Sequence, residues 1–150
     1  MSHPQSVLLV ANRTANTDRL RDAVRERAAA GTTRFHLVMP AVPTGLHRVV
    51  DPEVAGREEA HARLGLALPN LSKAAGFMVG GEVGSADALA AIQDALSRES
   101  FDEIVISTLP RRMSRWLGVD LPSKARGLGV PVSHVEAVNV SAQDLEMASS

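Results

Sequence analysis

Short apolar runs that alternate with helix-forming stretches predict an α/β fold: a single doubly wound domain with a parallel sheet and helices on both faces. Three observations carry this expectation. Residues 6–11 (SVLLVA) and 103–107 (EIVIS) are continuous apolar runs, as in strands covered on both faces, not the alternation of a half-exposed strand. Between successive runs there is enough chain for the helical crossover that parallel neighbours require. The length of 150 residues suits one domain, and no repeat, low-complexity block or linker divides it.

The elements follow in chain order. Residues 6–11 form the first strand. Thr17 then stands as a helix N-cap with Asp18 in the first turn; Leu20, Val24 and Ala28 share one helical face, and Gly31 ends the helix. Residues 34–39 (RFHLVM) form the second strand, which Pro40 and Pro43 stop from running further in a central ladder. After a loop, Asp51-Pro52-Glu53 starts a long helix: an acidic N-cap, proline at the first position and a second carboxylate near the positive helix end. That helix runs toward Ala75, with a kink or break expected at Pro69, because an interior proline costs about 3 kcal/mol. Residues 77–83 read as a third strand weakened by Gly80 and Gly81. Ser85 or Asp87 caps the next helix, whose apolar face is Leu89, Ile92 and Leu96. The fourth strand is 103–107, and Asp120-Leu121-Pro122 opens a helix stopped by Gly127 or Gly129. Residues 130–137 (VPVSHVEA) form the fifth strand, so the core spans about 6–137, and 138–150 reads as a mobile tail.

Composition narrows the function. There is no Cys, which excludes disulfides, thiol catalysis and zinc–thiolate sites. Sixteen basic and seventeen acidic side chains nearly cancel, so no global field favours nucleic acid or a membrane surface, and any basic site must be local. The opening MSHPQSVLLVAN lacks a charged n-region, and no apolar run approaches the roughly 18 residues that span a bilayer. The expected location is the cytoplasm.

The order and length of the elements, the FDEIVIS strand at 101–107 and the Gly129-Val130-Pro131-Val132 entry to the last strand resemble the universal stress protein family over residues 6–137. The resemblance implies a five-stranded sheet of order 3-2-1-4-5 and a homodimer formed through the last strand, whose unpaired edge suits such pairing. It also implies ATP or another adenine nucleotide as the ligand, bound through G-x2-G-x9-G followed by Ser or Thr after the fourth strand. Aligned from Ser107, that pattern places Pro110 at the second glycine, Asp120 at the third and Leu121 at the hydroxyl position; all four places depart from it. Proline offers no N–H, and Asp120 as an N-cap would aim its carboxylate at the donors a phosphate needs. The family's acidic residue after the first strand aligns near Asn12. The resemblance thus implies a non-catalytic, stress-associated regulatory homodimer with a degenerate ATP motif.

The alternative is a module for an adenine nucleotide or other small anion. The 101–123 stretch leaves a buried strand where open α/β sheets hold their ligands. Its Arg111, Arg112 and Arg115 could grip a phosphate or carboxylate by forked hydrogen bonds, or could be a solvated loop. Ser107 and Thr108 stand at the strand's carboxyl end, without a G-x-S-x-G elbow. Trp116 offers a stacking surface or a core edge. Arg111-Arg112-Met113-Ser114 fits a basic-residue kinase site as well as an ordinary loop. Glu58 and His61 have the i, i+3 spacing of a metal pair, but no second pair exists and arginines flank them, which favours a solvent-facing helix. His36 and His134 fall in strands. No catalytic residue, metal site, Walker sequence or receiver-type acidic set emerges.

Overall fold

The continuous apolar runs divide their side chains between two cores. The computed structural model describes residues 4–42 and 52–137. In it, strand β1 (Gln5–Val10) sends Val7 and Leu9 into one cluster and Leu8 and Val10 into the other, the period of two that a pleated strand imposes. Strand β2 (Thr33–Pro40) adds Phe35, Leu37 and Met39 to the first cluster. Helix α1 (Asp18–Ala30) covers that cluster with Leu20 and Val24, and helix α2 (Pro52–Ala75) with Ala60, Leu64, Ala67 and Leu71. The second cluster lies under helix α3 (Ala88–Arg98) and receives Ala91, Ile92 and Ala95. Strand β4 (Glu103–Thr108) adds Ile104 and Ile106 to it. Each such buried Leu or Ile stabilises the fold by about 1.5–3 kcal/mol relative to exposure.

Strands β3 (Gly80–Gly84) and β5 (Val132–Glu136) complete a sheet of order β3-β2-β1-β4-β5. All four pairings are parallel. The five-stranded sheet of order 3-2-1-4-5, with helices on both faces, is the architecture expected from the sequence. Chain connections run outward from β1 to β2 and β3, return through α3 to β4, and end at β5. The direction therefore reverses between β1 and β4.

Several local expectations need correction. Pro69 lies inside α2, which continues past it. Pro69 is exposed while Ala67 and Leu71 beside it are fully buried, so packing of the inner face outweighs the lost backbone bond. The third strand begins at Gly80, not at residue 77, because the chain leaves α2 through Gly76 at φ 84° and Phe77 and Met78 remain exposed. The glycines of β3 reflect close packing. A Cβ on Gly84 would lie 3.0 Å from Ala91 Cβ and from Val38 Cγ2, and one on Gly81 would lie 3.0 Å from the Leu37 carbonyl oxygen.

The caps also differ. Asp87 caps α3, accepting the Ala90 N–H at 3.1 Å. Thr17 occupies the N-cap of α1, but its hydroxyl donates to the Thr14 carbonyl at 2.7 Å and does not cap the helix. A short helix that the sequence does not predict, α4 (Arg115–Gly118), precedes α5 (Leu121–Arg126). Leu121 and Ala125 of α5 close the second core. The N-cap assigned to Asp51, the rest of the 43–51 loop and the 138–150 tail lie outside the described residues. No described helix is long and apolar enough to cross a membrane.

Candidate functional site

At the point where the sheet direction reverses, the loops leaving β1 and β4 part and open a crevice, the usual ligand position in open α/β sheets. The crevice holds about 460 Å³ of open space, counting its solvent side. Asn12, Arg13 and Thr14 after β1, Val42 after β2, Ser107, Thr108 and Leu109 at the end of β4, and Met113 to Trp116 of the following loop and α4 line it.

Its polar groups are held in place from below. Thr14 Oγ1 and Ser107 Oγ lie 2.6 Å apart and tie the two loops together; both residues are buried. Thr108 Oγ1 is 2.8 Å from His134 Nε2 on β5. Burial lowers the His134 pKa from its ordinary value; Glu136 opposes this shift and Arg126 adds to it. The Asn12 side chain donates to the Pro40 carbonyl at 2.5 Å and accepts from Arg63 of α2. It braces the end of β2 against β1, so the position that the resemblance gives to ligand binding is largely occupied by structural contacts.

Among the described residues, two guanidinium groups line the crevice. Arg13 follows β1 and is half-buried; Arg115 opens α4 and is exposed. Burial lowers the Arg13 pKa from its ordinary value, the charge of Arg115 lowers it further, and Glu59 acts in the opposite direction. Two like charges, from the loops after β1 and β4, thus share one space. Arg63 also has a lowered pKa, through burial first, with Glu59 raising it and Arg13 lowering it.

Of the residues singled out in the sequence, Asn12, Ser107, Thr108 and Arg115 meet here. Arg111, Arg112 and Asp120 do not line the crevice. The chain turns tightly after Pro110, where the Met113 N–H donates to the Pro110 carbonyl at 2.8 Å, leaving Arg111 and Arg112 exposed. The Arg111 N–H donates to Glu136 Oε1 at 3.1 Å, anchoring this turn to the end of β5. Asp120 does precede α5, but in the left-handed region at φ 55°, and its carboxylate makes no cap bond. The expectation that it fills its own anion site is therefore incorrect. The N-cap that does function in this loop is Ser114, whose Oγ accepts the Leu117 N–H at 3.2 Å.

Arg13 is the principal residue that sequence reasoning missed. Its signal was position alone: a cation two residues beyond the apolar run of β1. Trp116 packs against the second core, the core-edge reading, and also lines the crevice. Glu58 and His61 are exposed on α2, and among the described residues no group of three or more His, Asp or Glu could hold a metal. His36 bonds across strands to Glu82, with its Nε2 3.1 Å from Oε1.

No protein-family profile matches the sequence, and no curated protein matches it. Solved structures do match. A universal stress protein family member from Burkholderia pseudomallei superposes with a TM-score of 0.62 at 19% identity, over 89% of this chain and 96% of that one. A universal stress protein in complex with cAMP gives 0.60 at 16% identity, over 93% and 100%. A universal stress protein family protein from Arabidopsis thaliana with AMP bound gives 0.58 at 15% identity, over 95% and 99%. At these identities the likeness concerns the fold, and the α/β fold of this chain is the one these proteins share.

Proposed function

We propose that this chain is a divergent universal-stress-protein-like module that binds an adenine nucleotide in the β1–β4 crevice and acts without catalysis. The observation that carries the reading is the convergence of Arg13 and Arg115, from opposite loops, on a crevice that also presents Trp116 and Met113. Guanidinium forks suit phosphate oxygens, and an indole beside a thioether suits a purine face. The nucleotides in the AMP-bound and cAMP-bound neighbours make this ligand class the first to test.

The hydroxyls favour binding over turnover. Thr14 and Ser107 face each other, and Thr108 faces His134 without a third group among the described residues to orient the imidazole. A stress-associated, cytoplasmic role as a homodimer is the biological setting we propose for the module. Thermal melts of the full chain with AMP test the site. At a ligand concentration near 100 Kd the expected stabilisation is about 2.7 kcal/mol, a rise in Tm of about 5–10 °C. The Arg13→Ala and Arg115→Ala variants should each lose most of that rise while keeping the ligand-free Tm. An equal rise in both variants would remove the arginines from the site.

A further inference from the structure

We propose that Ser114 is a phosphorylation site for a basic-directed protein kinase, and that Arg13 and Arg115 receive the phosphate inside the β1–β4 crevice. The sequence Arg111-Arg112-Met113-Ser114 places two guanidinium groups three and two residues before a hydroxyl. Kinases of this class grip such arginines with carboxylates, and the fold presents them: Arg111 and Arg112 are exposed on the turn after Pro110, as is the Met113 that separates them from Ser114. The other hydroxyls of the crevice are poor acceptors. Thr14, Ser107 and Thr108 are buried, Thr14 joined to Ser107 and Thr108 to His134. Ser114 is partly exposed, and the bond its Oγ accepts from the Leu117 N–H engages a lone pair and not the O–H.

In the transfer, Ser114 Oγ forms a bond to the γ-phosphorus of ATP held by the kinase. The bond from that phosphorus to the β,γ-bridging oxygen breaks, ADP leaves with its electron pair, and the hydroxyl proton passes to the kinase's catalytic carboxylate. The segment can open for this locally. Its fastenings are two backbone N–H bonds, Met113 to the Pro110 carbonyl and Arg111 to Glu136 Oε1, ahead of the four-residue helix α4, so opening leaves the strand ladders intact.

A phosphoserine carries a charge of about −1.5 to −2 near neutral pH and three strong acceptor oxygens. Ser114, Arg115 and Arg13 line the same crevice, and the charge of Arg115 is felt at Arg13, so the two guanidiniums stand near enough to share one anion. Between them the phosphate converts a like-charge repulsion into two ion pairs, and one of its oxygens can go on accepting the Leu117 N–H. It would also stand where the phosphate of a nucleotide is proposed to bind. Modification should therefore close the crevice to AMP, a consequence that rests on the nucleotide reading above, whereas the modification itself does not.

The full chain and its Ser114→Ala variant, incubated with ATP and purified cAMP-dependent protein kinase, test the acceptor by intact mass and peptide mapping. Wild type should gain one phosphoryl group at Ser114 and the variant none, and Arg111→Ala and Arg112→Ala should each slow transfer roughly tenfold or more. Phosphorus NMR titration of the modified chain tests the receiving arginines. The second pKa of the phosphate should fall below its ordinary value of about 6, and Arg13→Ala or Arg115→Ala should return it toward that value. No transfer to wild type, or transfer undiminished by Ser114→Ala, would overturn the site. A second pKa at the ordinary value in the modified wild type would overturn the arginines' part. Melts with AMP test the consequence for binding: a Tm rise in the unmodified chain that persists after modification would overturn it. No rise in either form would reject the nucleotide reading and leave the phosphorylation results standing.

Discussion

Glu103 shows how much one side chain at the start of a strand can hold. It accepts from Arg27 Nε at 2.6 Å and Nη2 at 2.8 Å, joining β4 to α1, and from the Ser133 hydroxyl at 2.5 Å, joining β4 to β5. The hydrogen bonds from Arg27 are the largest cause holding its pKa below the ordinary value, against an opposing contribution from burial. A carboxyl with a depressed folded-state pKa contributes stability above its unfolded pKa of about 4.3 and loses it as pH falls through the folded value. Glu103→Gln should therefore cost about 1–2 kcal/mol at pH 7, the pair being partly solvated. In urea titrations the gap between wild type and variant should close as the pH is lowered below about 4. A gap of constant size would show that the ionised carboxylate is not the stabilising species. Nothing near Glu103 in sequence announces this network: Arg27 is 76 residues away and Ser133 is 30. The Thr14–Ser107 pair at the crevice, 93 residues apart, was illegible for the same reason.

Among the elements, legibility followed the local physics. The continuous apolar runs of β1 and β4 announced strands because both faces are covered, and Asp87 announced α3 because a side-chain cap is a local bond. The helix start at Asp120-Leu121-Pro122 is legible, whereas the missing cap bond of the Asp120 carboxylate depends on backbone φ, which a residue name does not reveal. Of the three arginines in the loop after β4, only Arg115 lines the crevice, since the turn after Pro110 sorts the side chains by geometry and not by type. Edge strand β3 was read as weakened by glycine, yet those glycines let it approach α3 and β2. Gly84→Ala would force a Cβ against Ala91 and Val38, neither of which can swing away. The expected cost is about 1–3 kcal/mol, read as a lower urea midpoint at unchanged slope. A midpoint equal to wild type would mean that β3 shifts outward at no cost.

For the whole molecule, the two open edges of the sheet are β3 and β5. On β5, the Pro131 carbonyl accepts from Ile104 and the Ala137 N–H donates to Thr108, so the alternation of a parallel ladder turns the backbone donors of Val132, His134 and Glu136 outward. That outward-facing row of donors supports the proposed homodimer through the last strand. Sedimentation equilibrium should give twice the chain mass, and Val132→Pro, which deletes one outward N–H, should shift the population toward monomer. A monomeric wild type at all accessible concentrations would end the dimer proposal.

The pairing of β1 with β4 has a kinetic consequence. Val7 opposes Glu103, residues 96 apart, so this contact closes most of the chain into a loop, and the crevice lies at the far end of the same pair. Non-local pairing is slow, because the entropy of closure is lost before the contacts form. No intermediate that lacks the β1–β4 ladder can contain a crevice. Ligand capture during refolding would then report the arrival of the finished sheet and not its approach. Added nucleotide would slow unfolding while leaving the rate of folding unchanged.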